Sequence, residues 1–177
     1  MSVRTHHIPN LWYIAILIIG WIMSLPADLY ARKNDIRFDH ISTRDGLSQS
    51  TIHCILQDRK GFMWFGTWYG LNRYDGYKFV VYQNLPENPR SLSHNSVLSL
   101  CEDQSGMLWV GTFGGGLNRL DRKTEQFTRY RHASDDPRSL SGDEILAIHE
   151  DRSGTIWIGT SRGLNRFDPE ADAETSG

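Results

Sequence analysis

The feature that most constrains how this chain can fold is a motif stated three times: "DRKGFMWFGTWYGLNRYD" from Asp58, "DQSGMLWVGTFGGGLNRLD" from Asp103 and "DRSGTIWIGTSRGLNRFD" from Asp151. The copies share Asp, Gly, Trp, Gly-Thr and a closing Gly-Leu-Asn-Arg-x-Asp, and Trp64, Trp109 and Trp157 follow one another at intervals of 45 and 48 residues. A period of roughly 40 to 50 residues belongs to stacked units, each of which buries its apolar faces only against its neighbours.

Each unit reads as four short strands. Strand a is "TIHCILQD", "SVLSLCED" and "EILAIHED"; strand b is "FMWFGT", "MLWVGT" and "TIWIGT"; strand c is "GLNRYD", "GLNRLD" and "GLNRFD"; strand d is "FVVYQ" and "FTRYR". Asp-x-x-Gly joins a to b, placing Asp58, Asp103 and Asp151 where a carboxylate caps a β-turn, and Gly61, Gly106 and Gly154 where φ turns positive. A calcium or catalytic role for these aspartates would need neighbouring oxygen ligands, which Arg59-Lys60 and Arg152-Ser153 do not supply. Strand b is apolar on both faces, with Met63/Phe65, Leu108/Val110 and Ile156/Ile158 on one and the tryptophans on the other. A sheet with two dry faces must be sandwiched, and four-stranded antiparallel sheets stacked around an axis achieve this with only short edges. The expectation is therefore an all-β chain of β-propeller blades, with each Trp between blades and Gly66, Gly111 and Gly159 admitting a close neighbour.

Leu47, Leu92 and Leu140 share one register, which sets blades at about 46–90, 91–138 and 139–168 within a partial propeller spanning 36–168. The segment 36–41, "IRFDHI" with Phe38 and Ile41, then falls where "FVVY" and "FTRY" fall later, and reads as an orphan strand d closing an absent blade. The tail 169–177 offers no counterpart. Three units are fewer than the four to eight blades that close a ring, so the expectation is an incomplete propeller and the front of a longer protein.

Ahead of the repeats, Leu11 to Leu25 is uncharged and apolar, preceded by Arg4 and two histidines. This is the pattern of an export signal, and it is shorter than the roughly 20 residues that span a bilayer. Residues 1–31 are expected to be a signal peptide or a signal anchor, placing the chain outside the cytoplasm, with anchoring in the inner membrane by residues 11–31 as the alternative to cleavage. The two cysteines, Cys54 and Cys101, stand at different levels of neighbouring units and are expected as separate core thiols. A net charge of −2 without any Lys/Arg run argues against nucleic acid as a partner.

The string D-x-x-G-x-x-W-x-G-T, followed by G-L-N-R-x-D and an F-x-x-Y strand, resembles the two-component regulator propeller repeat of exported sensor regions in hybrid histidine kinases and related bacterial receptors. The resemblance runs from Ile36 to Asp168. It implies a ligand-sensing module in a signalling phosphorelay, with further propeller repeats and a kinase or other output module as partners in a longer relative. No such output segment is present in these 177 residues.

Because strands alternate in direction, the b–c and d–a loops share one mouth of the blades, and these loops differ between units. Variable loops on a rigid repeat are where recognition sits. Trp68, Tyr69 and Phe113 offer flat apolar faces there, and His94, Asn95, Asp143 and Arg162 offer hydrogen bonds, a combination suited to a carbohydrate. The competing reading is that Trp68 and Tyr69 fold over their own blade. Arg90, Arg138, Asn72, Asn118 and Asn165 recur in every copy of their loop or strand and are read as structural. The histidines lack metal-ligand spacing, no serine sits in a nucleophile elbow, and Asp135-Asp136 has no partner acid. The chain is thus expected to be no enzyme and to need no metal or cofactor. The alternatives are a protein-interaction or self-associating scaffold without a small ligand and, further off, a propeller lyase or hydrolase.

Overall fold

The computed structural model describes residues 36–167 and, ahead of them, Trp12; the rest of the proposed leader and the tail 169–177 lie outside the described residues. Among the described residues, eleven strands form three antiparallel sheets. The first is β1 (Ile52–Gln57), β2 (Met63–Thr67), β3 (Gly70–Tyr74) and β4 (Phe79–Tyr82). The second is β5 (Val97–Glu102), β6 (Leu108–Thr112), β7 (Leu117–Asp121) and β8 (Gln126–Tyr130), and the third is β9 (Ile145–Glu150), β10 (Ile156–Thr160) and β11 (Gly163–Phe167). Strands pair in chain order within each sheet, so each repeat is one up-and-down blade. The innermost strands carry the contacts between blades: β1 lies against β5, and β5 against β9.

Registers repeat with the sequence. Trp64 faces Arg73 on β3, Trp109 faces Arg119 on β7, and Trp157 faces Arg166 on β11. A register shift interrupts the pairing near the start of each a strand, between Ile52 and Cys54, between Val97 and Ser99, and opposite Gly159 and Thr160 in the third sheet. A bulge of this kind adds local twist, as a strand at the narrow inner edge of a blade requires.

The core lies between blades. Trp64, Leu71, Leu92, Val97, Val110, Leu120 and Phe127 join blades one and two, while Trp109, Leu117, Ile145, Ile156 and Ile158 join blades two and three. Trp64 and Trp109 are each 1% exposed, whereas Trp157 is half-buried. The strand-b glycines mark the closest approach: a Cβ at Gly66 would stand 2.8 Å from Val97 Cγ1, and one at Gly111 would stand 2.9 Å from Ile145 Cβ, both on the following blade. At Gly159 the added carbon would meet only Ala147 of its own blade.

The a–b turns show why Asp and Trp travel together. In blade one, Asp58 Oδ1 accepts from the Lys60 and Phe62 amides, both at 2.9 Å, while Oδ2 accepts the Trp64 indole N–H at 2.8 Å. Asp103 and Asp151 hold Trp109 and Trp157 in the same way, at 2.7 and 2.8 Å. The Ser153 hydroxyl, then the Trp157 indole and the Ser153 and Thr155 amides, hold the Asp151 carboxyl down to about 2. At the opposite mouth a second polar set recurs. Asn72 Oδ1 accepts from Ser48 N at 2.9 Å, and Ser48 and Thr67 share a hydroxyl bond at 3.0 Å. Asn118 with Ser93 and Thr112, and Asn165 with Ser141 and Thr160, repeat it. The repeated asparagines therefore tie each incoming loop to strand c, as expected of residues that serve the blade.

Both cysteines are free, and burial pushes the Cys54 thiol up to about 11. Residues 36–41 carry no strand pairing, and Ile36 and Phe38 are each 79% exposed. A short 3-10 turn at Thr43–Asp45, capped by Ser42, follows them. No helix among the described residues is long and apolar enough to cross a membrane.

Candidate functional site

The b–c loops at the variable mouth are held by a bond that each blade makes to the next. Gly70 N donates to Asn95 O at 2.7 Å, and Gly116 N donates to Asp143 O at 2.9 Å. Phe113 is fixed from both sides, by Phe113 N to Ser96 O at 3.0 Å and by an isolated bridge to Glu144. The loops are therefore rigid shelves, and what distinguishes them is the side chains they carry.

Of the residues picked from sequence, the structure brings two together. Trp68 and Phe113, on adjacent blades, meet edge to face with ring centroids 6.3 Å apart, and both remain nearly half exposed. Beneath Trp68 lies His53 of β1, its ring 4.5 Å away and nearly perpendicular. Tyr69 stands beside Trp68 at 58% exposure, and its carbonyl accepts from the Gln83 side chain. The result is an apolar shelf of Trp68 and Phe113, with the exposed Tyr69 next to Trp68 in the chain.

The polar residues divide. Asn95 Oδ1 accepts from Asn84 N at 2.7 Å, and Asp143 Oδ1 accepts from His132 N at 2.7 Å. These are one contact made twice, so both side chains brace their d–a loops. His94 is exposed, and its Nδ1 accepts from Ser96 N at 3.1 Å. Arg162 is exposed, with its aliphatic stem across Gly142 on blade three. The structure gives neither a contact with the Trp68–Phe113 pair.

His53 was missed in the sequence reading. Its signal is a departure from the repeat, since five residues before the turn aspartate the other units carry Leu98 and Leu146. Its Nε2 is buried and has no hydrogen-bond partner among the described residues, and a buried polar atom left unpaired is costly enough to demand a reason. A second omission is the pair Glu102 and Glu150. Glu102 accepts from Arg59 N at 2.9 Å and Glu150 from Gln104 N at 2.8 Å, so each clasps the preceding blade's turn. Glu102 also meets Arg122, which reaches Asp58 as well, both at 3.0 Å. These charges are spent on joining blades. Among the described residues, no group of three His, Cys, Asp or Glu side chains could hold a metal ion.

The two-component regulator propeller family matches at residues 46–69, 91–114 and 139–162, each match running from the conserved-register Leu-Ser segment to the b–c loop. The three units are two-component regulator propeller repeats. A histidine kinase from Formosa agariphila is 42% identical over 69 residues, which is 39% of this chain and 5% of that protein. Among solved structures, the extracellular domain described as that of a hybrid two-component system from B. thetaiotaomicron superposes with a TM-score of 0.70 at 28% identity, covering 75% of this chain and 19% of its own. PorZ, described as a surface component of the type-IX secretion system of Porphyromonas gingivalis, superposes with a TM-score of 0.53 at 23% identity over 72% of this chain and 19% of its own, a likeness of fold alone. The chain thus spans a small part of each of these relatives.

Proposed function

We propose that these blades are the ligand-sensing part of an exported receptor of two-component signalling, and that the ligand is a carbohydrate. The observation that carries the ligand class is the shelf of Trp68 and Phe113 on rigid b–c loops. There Trp68 and Phe113, from adjacent blades, stand together nearly half exposed. Sugar rings present C–H faces that stack on such rings, and the exposed His94 and Arg162 lie on other loops of the same mouth. The extracellular placement of the B. thetaiotaomicron relative supports an exported location, and the kinase relative supports a kinase as the output partner.

Titration of the protein with a panel of neutral oligosaccharides, followed by tryptophan fluorescence, tests the ligand class. At least one member should bind, and Trp68→Ala should weaken it by roughly tenfold, equivalent to about 1.4 kcal/mol. The melting temperature should move by no more than about 4 °C, because Trp68 is a surface residue. Saturation by none of the panel, or equal affinity in Trp68→Ala, would remove the carbohydrate assignment. Export is tested separately with a reporter enzyme active only outside the cytoplasm, fused after Gly177. Activity should be lost on Leu17→Arg, and a fusion active only in a cytoplasmic assay refutes the location.

A further inference from the structure

Each a strand carries a bulge near its start. Ile52 faces Thr67 and Cys54 faces Gly66, which leaves His53 without a partner across the sheet. Leu98 is left over in the same way between Val97 and Ser99, and Leu146 between Ile145 and Ala147. A bulge re-aims its extra side chain, and the His53 ring meets Trp68 on the b–c loop of its own blade. The two positions change together from unit to unit: His53 goes with Trp68, Leu98 with Phe113 and Leu146 with Ser161. Leucine is thus what the bulge carries elsewhere, and histidine stands there where the loop carries tryptophan.

Leucine would fill this space without burying a polar atom. Instead Nε2, at the tip of the imidazole, is buried and has no hydrogen-bond partner among the described residues, a costly arrangement unless something else receives it. The two rings cross at 86° with centroids 4.5 Å apart, so the edge of one meets the face of the other. With the imidazole edge on the indole face, the enclosed Nε2–H points into the negative face of the ring, which accepts an N–H. The reverse arrangement would leave Nε2 with nothing. Trp68, for its part, makes no side-chain hydrogen bond among the described residues; it rests on ring contacts with His53 and, at 6.3 Å, with Phe113.

We infer that His53 donates its Nε2 proton to the Trp68 indole face and so positions Trp68 as the stacking surface of the shelf; the ligand part of this inference rests on the carbohydrate reading above. An aliphatic contact is non-directional, whereas an N–H aimed into a ring face fixes one attitude of that ring and one tautomer of the imidazole, with Nδ1 bare. One indole face is then taken by His53, and the opposite face is left for a ligand. Holding Trp68 in this attitude beforehand spares binding the ordering of a free side chain. His53 is therefore a positioning residue, acting through Trp68.

The experiment observes the full chain, with isotope-labelled histidine, by NMR at about pH 8, where imidazole is neutral. The His53 signals are those that vanish in His53→Leu, the residue the same bulge carries in units two and three. They should show the proton on Nε2, with the ring C–H protons beside it shifted upfield by the indole ring current, and Trp68→Ala should abolish that shift. The second arm uses whichever neutral oligosaccharide of the panel binds. His53→Leu should weaken it roughly threefold to tenfold, the cost of ordering one side chain on binding, without lowering the melting temperature. In the Trp68→Ala background the same change should cost nothing further. A proton on Nδ1, His53 signals indifferent to Trp68→Ala, unaltered affinity in His53→Leu, a melting temperature lowered along with the affinity, or additive losses in the double variant overturns the inference. If no member of the panel binds, the carbohydrate assignment falls, and the NMR arm by itself decides whether His53 holds Trp68.

Discussion

Asp58→Ala is expected to destabilise the blades by about 3–5 kcal/mol, the cost of breaking a buried ion pair from one side. The Asp58 side chain is 1% exposed and its partner Arg122 11%, so neither charge has water to fall back on. One carboxylate serves two turn amides, the Trp64 indole and the Arg122 guanidinium, which crosses from blade two at 3.0 Å. Alanine strands three donors and a cation whose remaining acid is Glu102. Asp103→Ala is the internal control. It removes the same cap and the same indole bond, but no arginine reaches Asp103 among the described contacts, so its cost should be nearer 1–3 kcal/mol, that of unsatisfied buried donors alone. Urea unfolding followed by tryptophan fluorescence measures both. Equal losses at the two positions would deny the ion pair any part in joining the blades.

The blade was legible in the sequence because each of its strands answers to a local rule that recurs at the same spacing. Gly61 is where the turn needs φ of 88°, Gly66 is where Val97 arrives, and Asn72 is where Ser48 arrives. Three copies let the structural residues identify themselves by recurring. The same comparison separated Trp68 and Phe113, which share one repeat position that varies and is Ser161 in the third unit, from Asn72 and its copies.

What stayed hidden depends on distance across blades. Asn95 and Asp143 differ in type, and so looked like variable ligand contacts, yet both accept one loop amide through the same oxygen. Their shared geometry is invisible until the loop is folded. Glu102 and Glu150 precede the turn aspartate in two units, while unit one has Gln57. Their role as clasps emerges only when the preceding blade's turn is placed beneath them. His53 could have been found as the one polar residue in its register, but only the fold shows Trp68 lying on it.

Trp109→Ala is expected to cost about 3–5 kcal/mol, the range for emptying an aromatic core position. Trp109 is 1% exposed and lies between blades two and three, with Phe167 at 5.5 Å, Tyr130 at 5.9 Å and the Arg119 guanidinium over its ring at 5.9 Å. Its indole also holds Asp103 at 2.7 Å, so alanine loosens the turn while opening the interface. Trp109→Phe separates the two effects. It keeps an aromatic ring in the interface and loses the hydrogen bond, and should cost about 1–3 kcal/mol more than nothing and clearly less than alanine. Trp157→Ala completes the series. Trp157 makes the same bond to Asp151 at 2.8 Å but is half-buried, with no following blade among the described residues to cover it. Because the stabilisation scales with apolar surface removed from water, its loss should be markedly smaller than that at Trp109. Chemical denaturation of the three variants decides the matter: an ordering other than Trp109→Ala above Trp109→Phe, or a Trp157→Ala loss equal to that of Trp109→Ala, would show that the tryptophans act within their own blades and not between them.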